Sequence, residues 1–125
     1  MRFARNVFLF AFVEGVLILV PMFFLEARIG IDTPPPITHP EYYYGFLSVA
    51  LAWQVAFLVI ARDPLRFRPL MIPAVLEKWI YGLVVAVLFA QARVDAYILG
   101  AAVLDASIGA LFVAAYLRTG RGEAA

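Results

Sequence analysis

The stretch Arg62–Gly82, RDPLRFRPLMIPAVLEKWIYG, decides the fold. Its first part carries Arg62, Arg66 and Arg68 together with Pro64 and Pro69, the composition of a connection. Asp63-Pro64 suits a turn start, and Leu65 and Phe67 alternating with arginines suit a short piece lying at a lipid interface. From Leu70 to Gln91 the chain becomes apolar, with Pro73 tolerated in the first turns and Glu77-Lys78 as the interruption. That run matches the ~20 residues that cross a hydrocarbon core.

The rest of the chain has the same character. Of 125 residues, 65% are hydrophobic and 15% charged, and the mean hydropathy is +0.91. A soluble domain of this length has too few charged residues to cover so much apolar surface. Lipid serves as the solvent for the excess. The net charge of +1 gives no electrostatic case for nucleic acid. The absence of cysteine excludes disulfides, thiolate metal sites and thiol catalysis.

Upstream, Val7 to Leu25 is apolar except for Glu14, with Asn6 as a candidate N-cap and Pro21 as a kink near the far end. A cleaved signal sequence is the rival reading of this basic start. The length of the run, its acid and the lack of an A-x-A site argue against it. Glu26 to Thr38 reads as the one long connection, extended through Pro34 to Pro36. Thr38-His39-Pro40-Glu41 has the spacing of a capping box. Tyr42, Tyr43 and Tyr44 follow, a cluster suited to the headgroup level. The expected spans are about 7–25, 42–61, 70–91 and 95–117, within one integral membrane domain over residues 1–125.

The fold class expected is all-α: a four-helix transmembrane bundle, up-down-up-down, with short turns between neighbours. Ala102, Ala106, Ala110 and Ala114 form a small-residue stripe on the last helix, expected to pack inside the bundle, with packing against a second copy as the alternative. Orientation follows from the basic residues. Arg2, Arg5, Arg62, Arg66, Arg68, Arg118 and Arg121 lie on one side, and only Arg28 and Arg93 on the other. The positive-inside rule then makes both termini and the Arg62–Pro69 loop cytoplasmic, in the plasma (inner) membrane.

Glu14, Gln54, Glu77, Lys78 and Asp105 are the polar residues inside the spans, and each helix supplies at least one. At ~1.5 Å per residue, Glu14 lies ~12 Å deep, Gln54 and Glu77 ~10 Å, and Asp105 ~15 Å from the opposite side. Tyr81 shares a face with Glu77. Small neighbours, Ala11 and Gly15 by Glu14, Ala101 and Gly109 by Asp105, would leave room beside each carboxyl group. An isolated charge in lipid costs at least about 2.5–3.5 kcal/mol, so convergence of these groups lowers the cost. Lys78 can pair with one acid; its neighbour Glu77 points away by ~100° and need not be that partner.

Three readings of the layer stand side by side. It is a polar lock that holds four helices in register, a site for a proton, a cation or an amphipathic small molecule, or a set of unrelated, scattered polar residues. Arg62, Arg66 and Arg68 read as topology determinants at the headgroups, and Tyr42 to Tyr44 as interface anchors. His39 is the only histidine, so no histidine pair exists for a metal or haem. No GxSxG, HExxH, Walker loop or CxxC is present. No catalytic residue, metal ligand or cofactor is assigned, and a lipid-active enzyme using the acids is the minority reading.

YYYGFLSVALAWQ (42–54), IARDPLRFRPLMIPAVLEK (60–78) and LFVAAYLRT (111–119) resemble segments of uncharacterised small bacterial four-span integral membrane proteins. The architecture is also loosely similar to DoxX-like and EXPERA-like membrane proteins, without a diagnostic motif of either. The second likeness implies buried acids around a sterol-like ligand, with Glu14, Glu77 and Asp105 as counterparts in kind. The function expected is a small polytopic membrane protein of structural or accessory type, whose partners are the bilayer and either a second copy or a larger membrane protein.

Overall fold

The computed structural model describes residues 2–120. Five α-helices account for most of them: α1 (Arg2–Met22), α2 (Glu26–Asp32), α3 (Pro40–Arg62), α4 (Met71–Ala90) and α5 (Ala96–Gly120). A 3-10 turn, Arg68–Leu70, leads into α4. No strand occurs among the described residues. Four helices are long and apolar enough to cross a membrane: α1, α3, α4 with its leading turn, and α5. The protein is a small multi-pass membrane protein with the expected four-helix bundle.

The bundle is built from two hairpins. α1 lies along α3, and α4 lies along α5. The hairpins join mainly where α1 meets α5, whereas α3 and α4 approach each other far less closely. One end is densely packed. Phe8, Phe57 and Phe112, all fully buried, meet there. Phe8 stacks on Phe112 with ring centroids 4.2 Å apart, and Phe57 meets Phe112 edge-on at 5.0 Å. Ala4, Val7, Ala11, Ile60, Ala61, Met71, Ala74, Ile108 and Ala115 surround this trio. In lipid such contacts gain through dispersion and shape rather than through escape from water.

The same end carries most of the arginines. Arg68 donates from Nε to the Tyr116 carbonyl at 3.0 Å, and its guanidinium lies 3.7 Å from the Tyr116 ring centroid. Arg118 lies over Phe3 at 4.2 Å. The start of α1, the loop before α4 and the end of α5 therefore meet at one basic end. Asp63 stabilises the loop by accepting the Arg66 backbone N–H at 3.2 Å.

Several local expectations are corrected. α1 begins at Arg2, so Asn6 is an exposed residue inside the helix and caps nothing. The segment after α1 is not wholly extended. Glu26–Asp32 forms a helix, held by an Arg28–Asp32 ion pair one turn apart at 3.0 Å, before the prolines stop it. The capping box at Thr38 does not form. His39 occupies the N-cap with no side-chain bond, and Pro40 takes the first helical position, where its missing N–H costs nothing. The alanine stripe only half holds: Ala102 is buried, but Ala110 is exposed. Residues four apart drift by ~40° per step on an α-helix, so a strict i, i+4 row leaves the contact face.

α4 ends in a Schellman motif. The Arg93 N–H bonds the Leu88 carbonyl and the Ala92 N–H the Phe89 carbonyl, both at 2.9 Å. Ala92 sits at φ 58°, where glycine is usual. A left-handed alanine costs about 1–2 kcal/mol, and glycine's extra unfolded-state freedom costs roughly 0.5–1 kcal/mol. Ala92→Gly is expected to stabilise the fold by about 0.5–1 kcal/mol, read as a higher denaturation midpoint in detergent. An unchanged or lower midpoint would show that the strain is relieved elsewhere.

Candidate functional site: a polar layer above the aromatic core

The polar layer rests on the Phe8–Phe57–Phe112 trio. Lys78 is its centre. It is 3% exposed, and its ammonium lies 3.3 Å from Asp105 Oδ1 and 3.7 Å from Glu77 Oε1. The first contact is a hydrogen bond; the second is an ion pair too long to be one. Glu77 and Lys78 do approach each other, because the long lysine side chain bends back towards its neighbour. Below, the ammonium faces the Phe57 ring at 5.4 Å.

Glu14, from α1, is half-buried and lies within electrostatic reach of Lys78 and Asp105, and Glu77 is within reach of Glu14. Charges from α1, α4 and α5 thus face one another across the interior. Gln54 represents α3. It is 2% exposed, and its Nε2 donates to the Ala50 carbonyl at 2.8 Å. Its Oε1 points across to α1 at Gly15, where a Cβ would collide with Oε1, Cδ and Cγ of Gln54. The room beside Glu14 is therefore used by a side chain from α3. Tyr81 stands on the outer side of the layer, half-buried, stacked against Phe46 at 5.9 Å and within electrostatic reach of Asp105.

Three buried oxygens in this layer accept no hydrogen bond: Glu14 Oε2, Gln54 Oε1 and Glu77 Oε1. Buried polar atoms are ordinarily paired, and an unpaired one costs about 1–3 kcal/mol. Among the described residues no three His, Cys, Asp or Glu side chains come close enough to hold a metal ion.

The expected interface residues have varied surroundings. Tyr42 is exposed and stacks on His39 at 5.1 Å. Tyr43 donates its hydroxyl to the Met22 carbonyl, and Tyr44 donates to Glu26 Oε1 at 3.0 Å. Those two tie the start of α3 to the α1–α2 junction. Arg62 and Arg66 are exposed, with Arg66 over the Phe67 ring at 5.4 Å. Arg68 instead turns onto the end of α5.

Sequence reasoning missed the device that brings Lys78 to Asp105. The Trp79 indole N–H donates to the Ala106 carbonyl at 3.0 Å. A Cβ on Gly109 would lie 2.6 Å from Trp79 Nε1 and 3.1 Å from Lys78 Cβ. Gly82 likewise faces Ala106 and Ala102. The signal was present: Trp79 follows Lys78, and a glycine faces it on the next helix. The space beside Asp105 at Gly109 thus belongs to Trp79 and Lys78, and Ala101 faces outward.

No protein-family model, curated protein or solved structure matches the chain.

Breaking a buried ion pair on one side leaves the other charge uncompensated and typically costs about 3–5 kcal/mol, whereas replacing both partners by apolar groups is often near neutral. Lys78→Met is expected to be strongly destabilising, and Lys78→Met with Asp105→Leu to recover most of the loss. Thermal unfolding of the four-member cycle in one detergent checks this. Additive losses would mean that the pair is not coupled.

Proposed function

We propose that this membrane protein is a plasma-membrane binding module, with its polar layer as the site and its basic end towards the cytoplasm. The observation that carries the reading is Gln54. A fully buried amide keeps its carbonyl oxygen unpaired, aimed at α1 at Gly15, in a layer where Glu14 Oε2 also accepts no hydrogen bond. A layer serving only to lock helices together is expected to satisfy its own acceptors. This one supplies three carboxylates and one ammonium, so charge neutrality in hydrocarbon calls for positive charge from outside the chain, as protons or as a bound cation. The structural and accessory reading is the weaker one on that ground.

The groups that would share protons are Glu14 from α1, Glu77, Lys78 and Tyr81 from α4, and Asp105 from α5; α3 contributes the non-titrating Gln54. The test is infrared difference titration of the protein in lipid between about pH 5 and about pH 9. A titrating carboxyl band is expected, diminished in Glu14→Gln and Glu77→Gln while the amide bands stay helical. No titrating carboxyl across that range would overturn the proton form of this reading.

The orientation has its own check. The chain has no cysteine, so single substitutions label cleanly. With a membrane-impermeant maleimide on intact cells, Thr33→Cys is expected to react, and Arg66→Cys only after lysis. The reverse pattern would invert the topology.

A further inference from the structure

The two ends of the bundle differ in charge. The end that carries α2 holds two arginines, Arg28 and Arg93, against four acids, Glu26, Asp32, Glu41 and Asp95. At the basic end the balance is reversed. Arg2, Arg5, Arg62, Arg66, Arg68 and Arg118 stand there against one acid among the described residues, Asp63. Its Oδ1 is turned to its own loop, where it accepts the Arg66 backbone N–H. Positive charge gathered beside a bilayer attracts anionic lipid.

The six arginines are not equivalent. Arg68 is bonded to the Tyr116 carbonyl with its guanidinium over that ring, and Arg118 lies over Phe3. Both are engaged in holding the bundle end together. Arg62 and Arg66 are exposed, and neither forms an ion pair among the described residues. They lie four residues apart, where α3 gives way to the loop before α4.

That loop is fixed in place. Pro64 is fully buried, and Phe67 packs against the aromatic core. The Phe67 N–H bonds the Asp63 carbonyl at 3.0 Å, and Arg68 fastens the next residue to α5. A surface ordered on folding loses little freedom on binding. Leu65 is the apolar exception on the outside: it is 50% exposed, between the two arginines. At the edge of a bilayer such a side chain belongs among acyl chains, while guanidiniums stay at the headgroups.

The pairing selects the ligand. Guanidinium groups take phosphate oxygens in a two-pronged fashion. A zwitterionic headgroup brings its own cation with the phosphate and gains less. A soluble anion has no use for Leu65. We propose that the α3–α4 loop is a docking surface for an anionic phospholipid, its phosphate held by Arg62 and Arg66 and an acyl chain lying along Leu65. The proposal stands apart from the polar layer and does not depend on it.

The full chain is reconstituted in phosphatidylcholine vesicles with spin-labelled phosphatidylglycerol or spin-labelled phosphatidylcholine. Both leaflets carry the probe, so the result is independent of orientation. Electron spin resonance reads the fraction of probe immobilised by the protein. Phosphatidylglycerol is expected to be preferred, and the preference to fall at about 1 M salt, where the screening length is ~3 Å. Arg62→Gln and Arg66→Gln should each lower the preference about fivefold. Arg93→Gln, at the opposite end, should leave it unchanged. Circular dichroism confirms the fold of each variant. Equal association of the two lipids, or an undiminished preference in the folded Arg62→Gln, Arg66→Gln double variant, would overturn the proposal. An equal loss in Arg93→Gln would assign the effect to diffuse charge instead of this loop and overturn it too. Inorganic phosphate is the last arm: displacement of the lipid beyond that by chloride at equal ionic strength would make the occupant a free phosphate ion.

Discussion

A hydrocarbon interior offers no hydrogen-bond partners, so a buried polar group left without one in the protein is costly. Lys78 is where that constraint bears hardest. Its ammonium is enclosed in the bundle, and Asp105 on the neighbouring helix is its nearest counter-charge. The pairing works only if α4 and α5 lie close together. Gly82 and Gly109 permit the approach, and the Trp79 indole fixes it by bonding to a carbonyl of α5. The small residues, the tryptophan and the ion pair are thus parts of one requirement.

The two ends of the bundle answer different demands. At the basic end, three phenylalanines and a ring of small and branched side chains fill the interior, and Arg68 fastens the loop to the end of α5. At the other end, the helices are tied by polar contacts at the surface, Tyr43 to Met22 and Tyr44 to Glu26, and by the short helix α2. The polar layer lies between. Its floor is rigid aromatic packing, and its α3–α4 side is closed by side chains rather than by backbone.

Hydropathy made the four helices and their antiparallel order legible, because apolar runs of about 20 residues in so short a chain can be accommodated only in lipid. Counting along each helix put Glu14, Glu77 and Asp105 within a few turns of one level, and the structure brings them within electrostatic reach of one another. Rotation about the helix axes did not follow from that count. Counting by fours put Ala110 on the interior face, and it is outside. Gly15 read as room for Glu14, whereas it admits Gln54 from α3. Helix α2 was hidden because three prolines nearby dominate the local signal, although Arg28 and Asp32 have helical spacing. The capping box failed because proline at the first helical position leaves one donor fewer to cap.

The ion pair belongs to a single hairpin, and this bears on how the chain is assembled. Lys78 and Asp105 sit on consecutive helices, so their charges offset each other as soon as α4 and α5 have crossed the bilayer together. The other hairpin brings Gln54 against Gly15 without needing the second. The α4–α5 hairpin can therefore enter lipid as a unit with its ammonium already paired, and the halves associate afterwards. Glu14 is the member left over. It meets its electrostatic partners only when the two hairpins dock, which makes it the residue that distinguishes the assembled bundle from two inserted but separate pairs.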